Sequence, residues 1–275
     1  MNIVVTGANG QVGTRLLERL QEDDINVTGL VRRSTGVGCD HVVADWMRAD
    51  EAAEAIAAAD AIVHLAGTLA PEDGDYEAAN VGPTERIIDS LKSQYAAHVI
   101  YLSYVGASGT STNAYLRAKG RCEALLNVAF EQVTTFRCTH IVGEPDQPGK
   151  TAQTMLAFRG KAATVLGSGR QRVAPVFIGD VAEAIIRAIK QPEHGTFDLP
   201  GPQTWTMDEF VRMINRSADQ RIRHLPEWSA KLLAFVVPAL HRPLVEVMCA
   251  DSVGDPKPVA EAFELELTVL EKQWS

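Results

Sequence analysis

The chain opens on Ile3-Val4-Val5, a short continuous apolar run of the kind that a strand buried on both faces requires. It passes through Thr6 into Gly7-Ala-Asn-Gly10-Gln-Val-Gly13, after which Val12, Leu16, Leu17 and Leu20 recur at helical spacing. The same alternation continues along the chain. Ile25–Arg33 predicts a strand, "HVVAD" another ending at Asp45, and "DEAAEAIAAA" from Asp50 an alanine-rich helix. "AIVHLAG" from Ala61 reads as a buried strand closing in Gly67, "NVGPTERIIDSLKSQ" from Asn80 as a helix, and "HVIYLSYVGAS" from His98 as a strand. An amphipathic helix is then expected over Asn113–Leu126. Repeated strand–helix alternation predicts an α/β chain with a doubly wound parallel sheet, whose ligands sit at the carboxyl ends of the strands.

The first turn carries the clearest chemistry. A strand, a glycine-rich turn and a helix N-terminus together form a phosphate cradle, because glycine lets the backbone approach a pyrophosphate and the free N–H groups meet its charge. The spacing is Gly-x-x-Gly-x-x-Gly, not the commoner Gly-x-Gly-x-x-Gly. Its context outweighs the plainer reading as a tight turn. Just past the second strand, where an acid would bind the ribose 2′-hydroxyl of NAD, the chain has Arg32 and Arg33, which suit a 2′-phosphate; the alternative is two solvated arginines. Asp23 and Asp24 precede that strand and lie at its wrong end for the ribose.

Composition narrows the setting. The chain has 275 residues, 46% hydrophobic and 22% charged, with a net charge of −9 that argues against nucleic-acid binding. Cys39, Cys122, Cys138 and Cys249 are far apart, with neither metal-site nor redox spacing, so no metal is expected. No signal peptide is evident, which reads as cytoplasmic. The most apolar stretch, "LLAFVVPAL" from Leu232 to Leu240, is broken by Pro238 and too short to span a bilayer. A core or lobe-packing helix is expected there, with weak membrane or partner contact as the alternative.

Tyr115 and Lys119 fall one helical turn apart, a pairing that is common by chance. Here it follows Thr6-Gly7-x-x-Gly10-x-x-Gly13, Asp45, "HLAG", "NVGPT" and "YLSYVGAS" in order. With these six pieces the chain resembles the short-chain dehydrogenase/reductase superfamily, in its extended and atypical branch, whose members carry a Rossmann fold. "FRCTHIVGEPDQPG" from Phe136 resembles the family's loop over the nicotinamide. The C-terminal segment is similar to atypical members related to the NADPH-binding accessory subunit of respiratory complex I.

The resemblance implies a proton-transfer tyrosine, Tyr115, with the Lys119 ammonium lowering its pKa and binding ribose. It implies that Ser103 polarises the substrate oxygen; if Ser103 points into the sheet, Ser108 or Thr110 could serve. The implied cofactor contacts are Gly7, Asn9, Gly10, Gln11, Val12, Gly13, Arg32, Arg33, Asp45, Trp46, Leu65, Ala66, Gly67, Asn80, Tyr115, Lys119, Thr139, His140 and Ile141. Two departures from the family pattern stand out: Tyr104 replaces a frequent second serine, and His64 replaces a more usual asparagine.

Residues 1–145 and 172–200 are expected to form the nucleotide-binding domain, with 146–171 and 201–275 as a smaller C-terminal substrate lobe. Asp180 is expected to cap a helix, and Thr206 with Glu209 to form a capping box. The expected function is an NADP(H)-preferring oxidoreductase or epimerase for a small carbonyl, alcohol or sugar-derived substrate, monomeric or homodimeric. The competing expectation is a non-catalytic NADPH-binding structural or redox-sensing protein.

Overall fold

The computed structural model describes all residues but 22–24, 34–36, 40, 92–96, 150–151, 154–155, 157–161, 238–239 and 275. Asp23, Asp24 and Pro238 therefore lie outside the described residues.

Strands β1 (Asn2–Thr6), β2 (Asn26–Leu30), β3 (His41–Val43), β4 (Ala61–His64), β5 (His98–Tyr104) and β6 (Val133–Cys138) come first in the chain. There follow β7 (Ile141–Val142), β8 (Ala163–Leu166), β9 (Arg172–Val173), β10 (Val176–Phe177), β11 (Gly195–Leu199), β12 (Trp205–Thr206) and β13 (Ile222–Leu225). A seven-stranded, wholly parallel sheet runs β11-β6-β5-β4-β1-β2-β3. Strand order therefore reverses between β1 and β4, and the crevice above that point is where ligands bind in sheets of this kind. The doubly wound sheet expected from the sequence is the one observed.

The sheet is buried on both faces because its residues are apolar on both. Leu16, Leu17 and Leu20 of α1 (Gln11–Leu20) pack with Ile3, Val5 and Ile100 on one side, joined by Ile185 and Ile189 from farther along the chain. On the other side lie Ile56 of α2 (Asp50–Ala57), Ile87 of α3 (Gly82–Asp89) and Leu126 of α4 (Ala114–Ala129). They pack with Val4, Ile62, Val99 and Tyr101. Each such buried side chain stabilises the fold by roughly 1.5–3 kcal/mol before entropy is counted. The helix expected from Asn80 begins with a π turn, Glu77–Val81, before α3.

Helix α5 (Ile178–Lys190) carries Ile185 and Ile189 and lies beside α1, and β11 then returns to the sheet edge. Asp180 does not cap α5. It sits in the first turn, where its carboxylate accepts from Thr268 N (2.7 Å) and Thr268 Oγ1 (2.6 Å), pinning the C-terminal segment. The remaining helices are α6 (Met207–Ile214), α7 (Glu227–Leu233), α8 (Arg242–Cys249), α9 (Lys257–Ala262) and α10 (Leu270–Gln273). Strand β8 pairs with β13 and β9 with β12. The capping box at α6 is present, with Thr206 Oγ1 accepting from Glu209 N and Glu209 Oε2 accepting from Thr206 N. The stretch from Leu232 is not a buried helix: Leu232, Phe235 and Val236 are exposed.

Candidate functional site

The glycine-rich turn sits at the carboxyl end of β1. Gly7 adopts φ +67°, a left-handed conformation natural to glycine, and its N–H donates to Leu30 O of β2 at 3.0 Å. Gly10 N donates to Gly7 O at 2.8 Å, closing the turn onto α1. No side chain caps α1 and no acid lies in its first turn, so its N-terminal amides face the crevice unopposed. Gly13 serves packing more than ligand access, since an added Cβ would fall 2.5 Å from Gly7 O and 2.7 Å from Ala8 O.

Around the turn, Asn9 and Gln11 are exposed and Val12 is buried. The Asn9 amide lies 3.5 Å from Arg33 O, and the Gln11 amide lies against Gly149 of the loop after β7. Arg32 and Arg33 are exposed just beyond β2, and neither forms an ion pair among the described residues. Asp45 is exposed at φ +47° and its carboxylate lies 3.6 Å from Arg48. Trp46 belongs to the core: its side chain is buried with Val4 and Leu30, and its backbone N–H donates to Val31 O at 3.4 Å.

"HLAG" forms the next wall. Leu65 N and Ala66 N both donate to Thr6 Oγ1, at 3.2 and 3.1 Å. His64 bridges Thr6 Oγ1 (2.8 Å) and Thr84 Oγ1 (2.9 Å), and burial with the nearby Lys119 charge lowers its pKa to about 3. It is a neutral strut between β1, β4 and α3. Asn80 is spent on structure as well. Its Oδ1 accepts from Thr68 N, and its Nδ2 donates to Thr68 O and Tyr76 O. Gly67 approaches both Asn80 and the Lys119 ammonium, which an added Cβ would meet at 2.7 and 3.6 Å.

Asn113 caps α4 by accepting from Tyr115 N and Leu116 N, while its amide donates to Pro243 O and Glu246 Oε2 of α8. These two bonds fix the start of α4 against α8. Lys119 is buried, donating to Leu102 O at 2.7 Å and Tyr101 Oη at 3.1 Å, and desolvation lowers its pKa. Tyr115 is 7% exposed, and its hydroxyl has no hydrogen-bond partner among the described residues. Burial and the neighbouring Tyr104 raise its pKa far above the phenol value, so it is protonated at neutral pH. The expected lowering by Lys119 is not what this arrangement produces.

Tyr115 lies in a row of rings. Tyr104 is 5.8 Å away on one side and Tyr76 6.4 Å on the other. The row ends in His140, 6.0 Å from Tyr104, and His241, 6.3 Å from Tyr76.

Ser103 is not in this group. It faces α4, where its hydroxyl donates to Glu123 Oε1 at 2.6 Å, and Glu123 in turn holds Arg137 through both oxygens. Tyr104, the next residue, stands beside Tyr115 instead, its hydroxyl 3.0 Å from Ser252 Oγ and 3.3 Å from His140 Nδ1. Ser108 and Thr110 are exposed and bond each other at 3.1 Å. Ser108 lies in the loop that packs on Gly120. Thr139 bonds Ala174 O, and Ile141 is half-buried in β7.

His140 is buried and neutral, its pKa lowered to about 4 by desolvation, and its Nε2 has no hydrogen-bond partner among the described residues. Ser252 and Glu123 escaped the sequence reading, and Tyr104 entered it only as a replacement for a second serine. The period-two alternation of β5 separates Ser103 from Tyr104 and was the available signal for Tyr104. Ser252 is 148 residues from Tyr104 and gives no local sign.

The sequence model of the NAD dependent epimerase/dehydratase family matches residues 3–198, most of the chain. The chain belongs to this family. Among its relatives is the mitochondrial NADH-ubiquinone oxidoreductase 40 kDa subunit of Neurospora crassa, 24% identical over 90% of this chain and 68% of that protein. Another is an Escherichia coli N-acetyl-α-D-glucosaminyl-diphospho-ditrans,octacis-undecaprenol 4-epimerase, 23% identical over 82% of this chain and 75% of that one. In fold the chain is similar to the UDP-glucuronic acid 4-epimerase of Bacillus cereus, solved with UDP-glucuronic acid and NAD. The TM-score is 0.77 at 16% identity, covering 100% of this chain and 96% of the other. No helix among the described residues is long and apolar enough to cross a membrane.

Proposed function

We propose that this family member is an NADP(H)-preferring oxidoreductase or epimerase acting on a small carbonyl, alcohol or sugar-derived substrate. The observation that carries the reading is the partnerless Tyr115 hydroxyl beside a crevice that also receives the uncapped start of α1. The turn fits a dinucleotide: the close glycine backbone and the free α1 amides suit a pyrophosphate. Arg32 and Arg33 would take a 2′-phosphate, and Leu65, Ala66 and Gly67 would wall the crevice. Lys119 would hold the ribose nearer the reacting ring. The nicotinamide, when bound, supplies hydride transfer.

Tyr115 supplies the proton. A phenol kept protonated by burial is suited to donate toward a carbonyl oxygen as it becomes an alcohol. Tyr104, whose hydroxyl lies near Ser252 and His140, would take the oxygen-facing place expected of Ser103. The test is Tyr115→Phe, with nucleotide titration and hydride transfer measured over a panel of carbonyls and alcohols. Nucleotide affinity should hold while turnover falls by roughly two orders of magnitude. Unchanged turnover on a genuine substrate rejects the role.

A second reading is favoured by the rings that crowd Tyr115 and by the commitment of Lys119 to Leu102 O. On this reading the chain holds a nucleotide without transforming a substrate. The mitochondrial relative, named as a subunit of a larger oxidoreductase, is compatible with it. Tight NADPH binding with no hydride transfer across the panel would decide for it.

A further inference from the structure

Helix α7 is amphipathic the wrong way round. Its buried residue is Ala230, which faces the protein where α7 packs on α8, while its large apolar side chains stand in water. Trp228 is 69% exposed, Leu232 59%, Phe235 73% and Val236 74%. Trp228, Leu232 and Phe235 follow one another at intervals of four and three, which places them on one stripe of a helical path. Leu233 and Val237 widen it. An exposed apolar stripe of this size on a polar protein marks an interaction surface.

Charge identifies what it meets. From Arg212 to Arg242 the chain has six cations against two acids, Asp219 and Glu227, although the whole chain carries −9. Arg223 and Arg242, exposed on either side of the stripe in sequence, form no ion pair among the described residues. Lys231 is different: its ammonium is held by Glu227 at 2.8 Å and Glu246 at 3.2 Å. A second copy seated on this stripe would bring two cationic segments together. An anionic lipid surface answers both features, since Trp and Phe favour the headgroup boundary and arginines favour anionic headgroups.

We propose that residues 228–237 dock this protein on an anionic membrane surface, lying in the interface without crossing it. The assay is sedimentation of the full chain with vesicles of phosphatidylcholine alone or of phosphatidylcholine and phosphatidylglycerol in equal parts. Partition should be about ten-fold or more stronger on the anionic vesicles and should weaken as salt rises.

F235E/V236E, which changes only exposed positions, should lower that partition about ten-fold while leaving the thermal melt unchanged. If that variant misfolds, quenching of Trp fluorescence by bromine-labelled acyl chains, absent in Trp228→Phe, keeps the test open. Three results overturn the proposal: no binding to anionic vesicles, equal binding by F235E/V236E, or a concentration-dependent dimer that the double variant dissolves.

Discussion

Mild acid should destabilise this protein, because three of its histidines are buried neutral. Burial lowers His98 and His140 to about 4, and burial with Lys119 lowers His64 to about 3. In the unfolded chain each would titrate near ~6.5. Between those values the unfolded state binds more protons than the native one, so stability is intact above pH ~7 and falls as pH drops through ~6.5. The fall from this source ends near pH ~3–4, where the native histidines also protonate.

From pH 7 to 5 each unfolded histidine takes up most of a proton, worth roughly 1.8 kcal/mol, so the three together cost about 5.5 kcal/mol. That is a large part of the ~5–15 kcal/mol that holds a domain of ordinary stability. Asp180 acts in the opposite sense, because burial raises its pKa and the native state gains that proton first.

Urea unfolding at pH 7, 6 and 5 measures the effect, with the m-value as a check that the states are unchanged. His98→Gln, which can keep a bond to Thr134, should reduce the slope by about one proton. A loss under ~1 kcal/mol between pH 7 and 5 at constant m would show that these rings are hydrated or rearranged, and the argument would fail.

Arg32→Ala should weaken NADPH about ten-fold or more and leave NADH almost untouched in paired titrations at fixed salt, since one charge-assisted contact is lost. Equal losses would remove Arg32 from the 2′-phosphate. Gly13→Ala should lower the melting temperature even without nucleotide, at roughly 1–3 kcal/mol, because its Cβ meets Gly7 O at 2.5 Å. Gly10→Val should chiefly abolish nucleotide binding. Ser103→Ala should cost about 1–2 kcal/mol by freeing a hydrogen bond to Glu123, visible as a lower melting temperature, with turnover nearly unchanged. A hundred-fold loss of turnover at unchanged melting temperature would return Ser103 to the chemistry.

Much of the fold was legible because it depends on local patterning. Ile3–Val5, the Gly7–Gly13 turn and the Leu16–Leu20 stripe each announce their element within a few residues, and the parallel sheet follows from their repetition. The site was only partly legible. Tyr115 and Lys119 sit on one helix at fixed spacing, whereas the partner of Ser103 is chosen by which way β5 presents it. Asn80 and Trp46 look like crevice residues in sequence, but hydrogen bonding and burial claim them for the framework. The stretch from Leu232 misled for a related reason: apolar content predicts burial, and does not say against what.

The bond between Tyr104 and Ser252 has a bearing on how the protein can be altered. Ser252 also forms a β-bridge to Val173, so the C-terminal part of the chain is held beside the Tyr104 and Tyr115 rings. The family match stops at residue 198 and leaves Ser252 outside it. A chimera that keeps 1–198 and borrows the remainder from an epimerase would exchange more than the C-terminal helices. It would also replace the residue whose hydroxyl lies 3.0 Å from that of Tyr104, next to Tyr115, the proposed proton donor. The two halves of this molecule are therefore poor interchangeable modules, and engineering that preserves activity should carry residue 252 and its bridge along with the graft.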